Sequence, residues 1–312
     1  MTKGVVGEPV GQQRQIGALG EQAPLVSVIV PHYRDLVGLD RCLAALGQQT
    51  IPAAQFEVVV ADNNSPEGES QVRTVVADRA RVVIVREPGA GPARNGGVRT
   101  SRGEILAFVD SDCVPQADWL AAGLKALPAY DLIGGRVTVF AQDQARMTSA
   151  EAFERVFAFD FKTYIQRKGF TGAGNMFCSR KLFDAVGGFR AGVSEDLEWS
   201  RRAVAMGYRL GYAPSAIVAH PARRDWEELR RKWRRVNQET FGLYREKPAG
   251  QLLWFLRNCL LPISIVAHVP RVLGSDQLSN ARDRWLALTM LARIRLWRFG
   301  HALSLLRGQA PQ

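Results

Sequence analysis

The four cysteines of this 312-residue chain, Cys42, Cys113, Cys178 and Cys259, are scattered, and none has a partner at the short spacing of a metal-binding knuckle. That scatter argues against a zinc ribbon or a disulfide framework and fits a reduced, cytoplasmic protein. A membrane-spanning run is also missing. The apolar segment Asn258–Pro270 holds thirteen uncharged residues between Arg257 and Arg271, short of the about 20 that a crossing helix needs. Residues 1–23 are rich in Gly and Gln with no apolar centre, so they are expected to be a mobile tail, neither signal peptide nor anchor. Acidic residues are scarce in two places. Residues 222–236 carry seven basic and three acidic side chains, and residues 250–312 carry eight arginines against Asp276 and Asp283. These two segments hold ten of the eleven net positive charges, which leaves a nearly neutral body and argues against a general nucleic-acid binder.

What is present describes a folded α/β protein. The apolar fraction is 46% and the mean hydropathy −0.11. Leu25–Val30, Phe56–Ala61, Val82–Val85 and Ile105–Val109 are short apolar runs with helical patterns between them, such as Leu36, Leu39, Leu43 and Leu46. The alternation predicts a mostly parallel sheet flanked by helices. Pro31 is expected to stop the first strand. At each strand end the residues switch from aliphatic to Asp, Asn, Gly or Pro, the edge at which open α/β sheets bind ligands. The central strand ends in Asp110-Ser111-Asp112. Two carboxylates one residue apart ionise together most readily beside a cation, although the triplet also reads as a plain turn.

Four motifs in series narrow the reading: Val28-Ile-Val-Pro-His-Tyr-Arg-Asp35, Val58-Val-Val-Ala-Asp-Asn-Asn-Ser65, Ala93-Arg-Asn-Gly-Gly97 and Phe108-Val-Asp-Ser-Asp112. Gly172-Ala-Gly-Asn175, Val186-Gly-Gly-Phe189, Glu195-Asp-Leu-Glu-Trp-Ser-Arg201 and Val218-Ala-His220 follow. In order and rough spacing they resemble glycosyltransferase family 2, the inverting enzymes of the GT-A fold. The resemblance covers roughly residues 24–242. It implies a GT-A catalytic domain over 24–245 and leaves the rest uncovered; the apolar and basic pattern of 246–312 itself suggests a helical extension that could associate with a membrane.

The resemblance also implies roles. Asp112 would bind Mg²⁺ or Mn²⁺ on the diphosphate of a nucleotide sugar, a UDP-sugar first of all; Asp110 would share the metal or reach the ribose, and His220 would complete the metal shell. Such hard cations take oxygen ligands and few of them from protein. Asp62 would grip the base, with Pro31 and Tyr33 beside it, while His32 reads as an ordinary loop residue. Asn63 stands where the family pattern often has a second Asp. Arg94, Asn95 and Asn175 would line the nucleotide site. Asp196, paired with Glu195 at a helix start, would be the general base, a role worth roughly 10²–10⁴-fold in rate. An acidic pair at a helix start is otherwise a common N-terminal cap.

The basic stretch Arg223–Arg235 contains Trp226 and Trp233 on one helical face, and Glu227→Arg231 and Glu228→Lys232 as i,i+4 pairs. It lacks the Gln of the Gln-X-X-Arg-Trp element of processive relatives, which speaks against polymerisation. Beyond Asp276 a long helix is expected. Trp285, Leu288, Ala292, Phe299 and Leu303 would lie on one side, and Leu286, Met290, Ile294 and Trp297 on another. One side would pack on the catalytic domain and the other would rest in the inner face of a membrane. The acceptor implied is a lipid-linked or surface glycan. Two other readings compete: a nucleotidylyltransferase, which would carry a Gly-rich phosphate loop with Arg and Lys where Val30-Pro31-His32-Tyr33 stands, and a non-catalytic basic protein binding membrane or nucleic acid.

Overall fold

A computed structural model describes residues 23–245 and 247–308; the expected tail lies almost wholly outside them. The first half alternates strand and helix: β1 (Val26–His32), α1 (Leu36–Leu46), β2 (Phe56–Asp62), α2 (Glu69–Val76), β3 (Arg81–Ile84), α3 (Ala90–Thr100) and β4 (Ile105–Val109). All seven residues of β1 are buried, as a central strand covered on both faces requires. Val28 and Val30 face α1 through Leu39, Leu43 and Leu46. Ile29 points the other way, into a cluster with Phe108, Phe183 and Trp199. Each such side chain contributes roughly 1.5–3 kcal/mol on burial.

The chain continues with β5 (Val114–Pro115), α4 (Trp119–Ala126), β6 (Leu132–Phe140), α5 (Ser149–Phe157), α6 (Phe161–Lys168), β7 (Asn175–Ser179), α7 (Arg180–Val186), α8 (Glu195–Ala205) and β8 (Leu210–Pro221). The eight strands form one sheet in the order β3-β2-β1-β4-β7-β6-β8-β5. The half from β3 to β4 is parallel throughout, as the sequence predicts. The other half is mixed, because β7 enters antiparallel to both β4 and β6 and β5 antiparallel to β8. Pro31 does not stop β1, which runs on to pair His32 with Asp62. The ladder to β4 ends at Ile29, so the N–H that proline lacks is not needed on that side.

Three long helices close the chain: α9 (Trp226–Arg245), α10 (Gly250–Leu273) and α11 (Ala281–Leu306). With α5 they enclose a second core around Phe153, Leu229, Ala287, Met290, Leu291 and Ile294. The tryptophans of α9 turn inward: Trp226 meets Trp297 edge to face at 5.9 Å, and Arg293 and Arg298 of α11 lie 4.1 and 3.9 Å from the rings of Trp226 and Trp233. On α11 the Met290–Ile294 side is the buried one, whereas Trp285 is 68% exposed.

The expectation that the segment after Arg257 is too short to cross a bilayer is overturned. The helix incorporates both bracketing arginines and Pro262 and Pro270, giving 24 residues with a mean hydropathy of 1.6 over its most apolar window, of which 11% is buried. At about 1.5 Å per residue it is long enough to span a hydrocarbon core. Counting only the residues between the charges failed because the helix begins seven residues before Arg257 and runs two beyond Arg271.

Candidate active site

The carboxyl ends of β1, β2 and β4 and the start of α8 meet along one edge of the sheet. Asp112 and His220 lie there, with Nε2 of His220 3.3 Å from Oδ2 of Asp112. Nδ1 of His220 is 2.6 Å from the carbonyl oxygen of Pro221. A carbonyl only accepts, so Nδ1 carries a proton. Nε2 and the carboxylate are then joined either by a second ring proton or by a cation held between them. The second hydrogen bond also fixes the ring, as at metal-bound histidines. The Cys113 thiol is close enough to form a three-residue group with them. Burial and then Asp112 push its pKa well up, so it stays a thiol and donates toward Asp112. The carboxylate of Asp112 is itself pushed up by burial, against the pull of His220.

Asp110 turns away from this pair. Its Oδ1 accepts from Nη2 of Arg94 at 2.7 Å, while Nη1 of Arg94 reaches Oε1 of Glu195 at 3.0 Å. Arg94 is buried on α3, and although burial opposes its charge, Asp110 and then Glu195 hold it ionised. The chain thus ties the end of β4 to the start of α8 through one guanidinium. Asp196 follows, half-buried, with Oδ1 accepting from the Leu197 N–H at 2.7 Å. Burial, then the neighbouring charge of Glu195, raise its pKa, which makes it a stronger base than an exposed carboxylate.

The remaining expected residues fall into two groups. Tyr33 is half-exposed with its ring face open to one side and Arg34 5.0 Å from the centroid; Pro31 is buried behind it. Asp62 is buried and fully engaged: Oδ1 meets Nδ1 of His32 at 2.8 Å and the Ser65 hydroxyl at 2.6 Å, and Oδ2 accepts from the Ser65 N–H at 3.0 Å. His32 is therefore no loop residue but the partner of Asp62. Asn95 and Asn175 both bond to groups of the chain itself. The amide of Asn95 closes on both backbone groups of Phe189. That of Asn175 is saturated by Trp119 Nε1 and by the carbonyls of Arg136 and Ala216. Asn175 is a framework residue, because a buried amide with every group paired has nothing left to offer a ligand; Asn95 is half-buried and ties α3 to Phe189.

Beside Asp112 and His220 opens a cavity of about 800 Å³ lined by Arg41, Arg223, Arg224, Arg231, Lys232 and Arg235, with Asp35 and Glu228 opposing them. Sequence reasoning placed cations on α9 but missed what aims them. Glu154 of α5, 1% exposed, binds Nη1 of Arg223 and Nζ of Lys232, both at 2.9 Å. Burial opposes its charge, but Lys232 and Arg223 draw its pKa down to about 2. Only the polar spacing inside the apolar run of α5 could have hinted at it.

The chain matches the model of the family described as Glycosyl transferase family 2 over residues 27–199. Glycosyltransferase AglE of Haloferax volcanii is 33% identical over 219 residues, 68% of this chain and 71% of that protein. The probable glycosyltransferase YdaM of Bacillus subtilis is 24% identical over 75% of this chain and 62% of its own length. Among solved structures, a mannosyltransferase from Pyrobaculum calidifontis, in complex with GDP-Man and Mn²⁺, covers 92% of this chain with a TM-score of 0.59 at 19% identity. The fold is GT-A, and the chain is a glycosyltransferase belonging to family 2.

Proposed function

We propose that the protein transfers a sugar, with inversion, from a nucleotide-diphosphate donor to a hydroxyl of a lipid-linked or surface glycan. The observation that carries this reading is the Asp112–His220 pair, a carboxylate oxygen and a ring nitrogen 3.3 Å apart at the rim of a cation-lined cavity. One carboxylate oxygen and one imidazole nitrogen suit Mn²⁺ well, and Mg²⁺ through the oxygen and water. The metal supplies neutralisation of charge on the diphosphate leaving group. Arg223 and Lys232, held by Glu154, add fixed positive charge there without needing to reorganise.

At the other end, Asp196 takes the proton of the acceptor hydroxyl as its oxygen attacks the anomeric carbon from the face opposite the diphosphate. Glu195 is not a second base in this reading. It fixes Arg94, and through it Asp110, so that the donor and acceptor sides stay in register. Tyr33 offers its ring to the base, and the Asp62–His32 pair shapes the floor beneath it. The similar mannosyltransferase holds GDP-Man and Mn²⁺, whereas the sequence reading favours a UDP-sugar. Calorimetry with UDP and GDP in Mn²⁺ decides the base. Loss of that binding in Asp112→Asn and loss of transfer in Asp196→Asn are the expected results; full activity in both variants would refute the mechanism.

The place of action is the inner face of a membrane. Leu252, Leu256, Leu260, Ile263 and Val266 of α10 are all more than half exposed. Arg234, Arg257 and Arg295 of the three C-terminal helices have no carboxylate partner among the described residues and keep part of their surface in solvent. An apolar face beside unmatched cations suits an anionic leaflet.

A further inference from the structure

The connection between α5 and α6 is Ala158–Asp160, and Phe159 within it has φ of 55°. A bulky side chain rarely adopts that left-handed backbone unless its surroundings enforce it, and such residues gather at functional sites. The ring of Phe159 lies against His220, centroids 4.4 Å apart, and Nζ of Lys232 stands 5.2 Å from its centroid. From there aromatic rings follow one another: Phe161 at 6.3 Å, Tyr164 a further 5.9 Å, and Phe170 stacked on Tyr164 at 5.1 Å and 13°. At the far end Tyr164 feels carboxylates. Its hydroxyl pKa is raised by burial, then by Asp160, with Asp196 adding to the rise. The row therefore begins at the His220 ligand and ends within the electrostatic reach of Asp196. Phe161 is buried as its anchor, while Phe159, Tyr164 and Phe170 are half-buried, with Nζ of Lys168 4.9 Å from the Tyr164 centroid.

A transfer between a diphosphate at Asp112 and a base at Asp196 must seat a sugar ring between the two. The C–H face of a pyranose is apolar with positively polarised hydrogens, and it stacks on the negative face of an aromatic ring. We propose that the α5–α6 aromatic row is the sugar-binding wall of this enzyme, with Phe159 and Tyr164 as the contact residues for a pyranose. The inference rests on the reading given under Proposed function for the positions of the leaving group and the base. The pyranose is either that of the donor or that of the acceptor, and the two are separable by experiment.

The test compares Phe159→Leu, Tyr164→Leu and the ring-preserving Phe159→Tyr with the full-length protein in Mn²⁺. Calorimetry measures UDP and GDP against UDP-glucose and GDP-mannose. Kinetics measure donor hydrolysis and transfer to a panel of octyl hexosides. Loss of one stacking contact should cost about 3- to 10-fold. If the donor sugar stacks, the leucine variants lose the extra affinity of the nucleotide sugar over its nucleotide diphosphate. If the acceptor stacks, the KM for the octyl hexoside rises by that factor with hydrolysis unchanged. In either case Phe159→Tyr restores the value and nucleotide diphosphate affinity is unaltered. Unchanged values in both leucine variants overturn the proposal. So does an equal loss of nucleotide diphosphate affinity, which would make Phe159 a mere prop for His220. Should Phe159→Leu fail to fold, Tyr164→Leu carries the test alone. The underlying reading fails separately, if Asp112→Asn keeps its Mn²⁺-dependent nucleotide binding.

Discussion

At the scale of single residues, Asn63 shows why a departure from a family pattern is informative. Its amide nitrogen donates to the carbonyls of Val85 and Glu87 at 2.9 and 2.6 Å, while its oxygen accepts from the Gly89 N–H at 2.7 Å. An aspartate could keep the last bond only, and would face two carbonyls. Asn63→Asp should therefore lower stability by about 1–3 kcal/mol, read as a lower urea midpoint at unchanged slope. Asp196 gives a kinetic prediction. The base must be unprotonated, and its pKa is raised by burial and then by Glu195. The acid limb of kcat/KM should thus fall at a pH above the ordinary aspartate range, with rate increasing as pH rises through it. Asp196→Asn should abolish that limb and cost roughly 10²–10⁴-fold in rate. A limb that persists in the variant would assign the base elsewhere.

At the scale of elements, α5 acts at a distance through Glu154. Its folded pKa of about 2 lies below the ordinary glutamate value of 4.5, so its contribution is complete above about pH 4.5 and is lost as pH falls toward 2; the difference corresponds to about 3 kcal/mol. Glu154→Gln should flatten acid unfolding in that window and weaken nucleotide diphosphate binding, since Arg223 and Lys232 lose their common anchor. The parallel half of the sheet and the Asp110–Asp112 edge were legible in the sequence, because buried strands write themselves as aliphatic runs closed by polar residues. What stayed hidden depends on contacts between distant segments. The His32–Asp62 bond spans 30 positions and the Glu154–Lys232 bond spans 78. Neither spacing leaves a periodic trace. Asn175 misled for a related reason: whether a polar side chain faces a ligand or a carbonyl is decided by neighbours that no local pattern names.

At the scale of the molecule, the three closing helices join a catalytic sheet to a face that water does not favour. Flotation with liposomes rich in anionic lipid should recover the protein. Raising the ionic strength should weaken that recovery only in part, since screening acts on the arginines and not on the apolar contact. Recovery lost entirely at high salt would mean that α10 does not insert. The same helix has a practical side. Among the described residues nothing covers the stripe from Leu252 to Val266, so for the purified chain in plain buffer light scattering should climb with concentration and fall when a mild detergent is added.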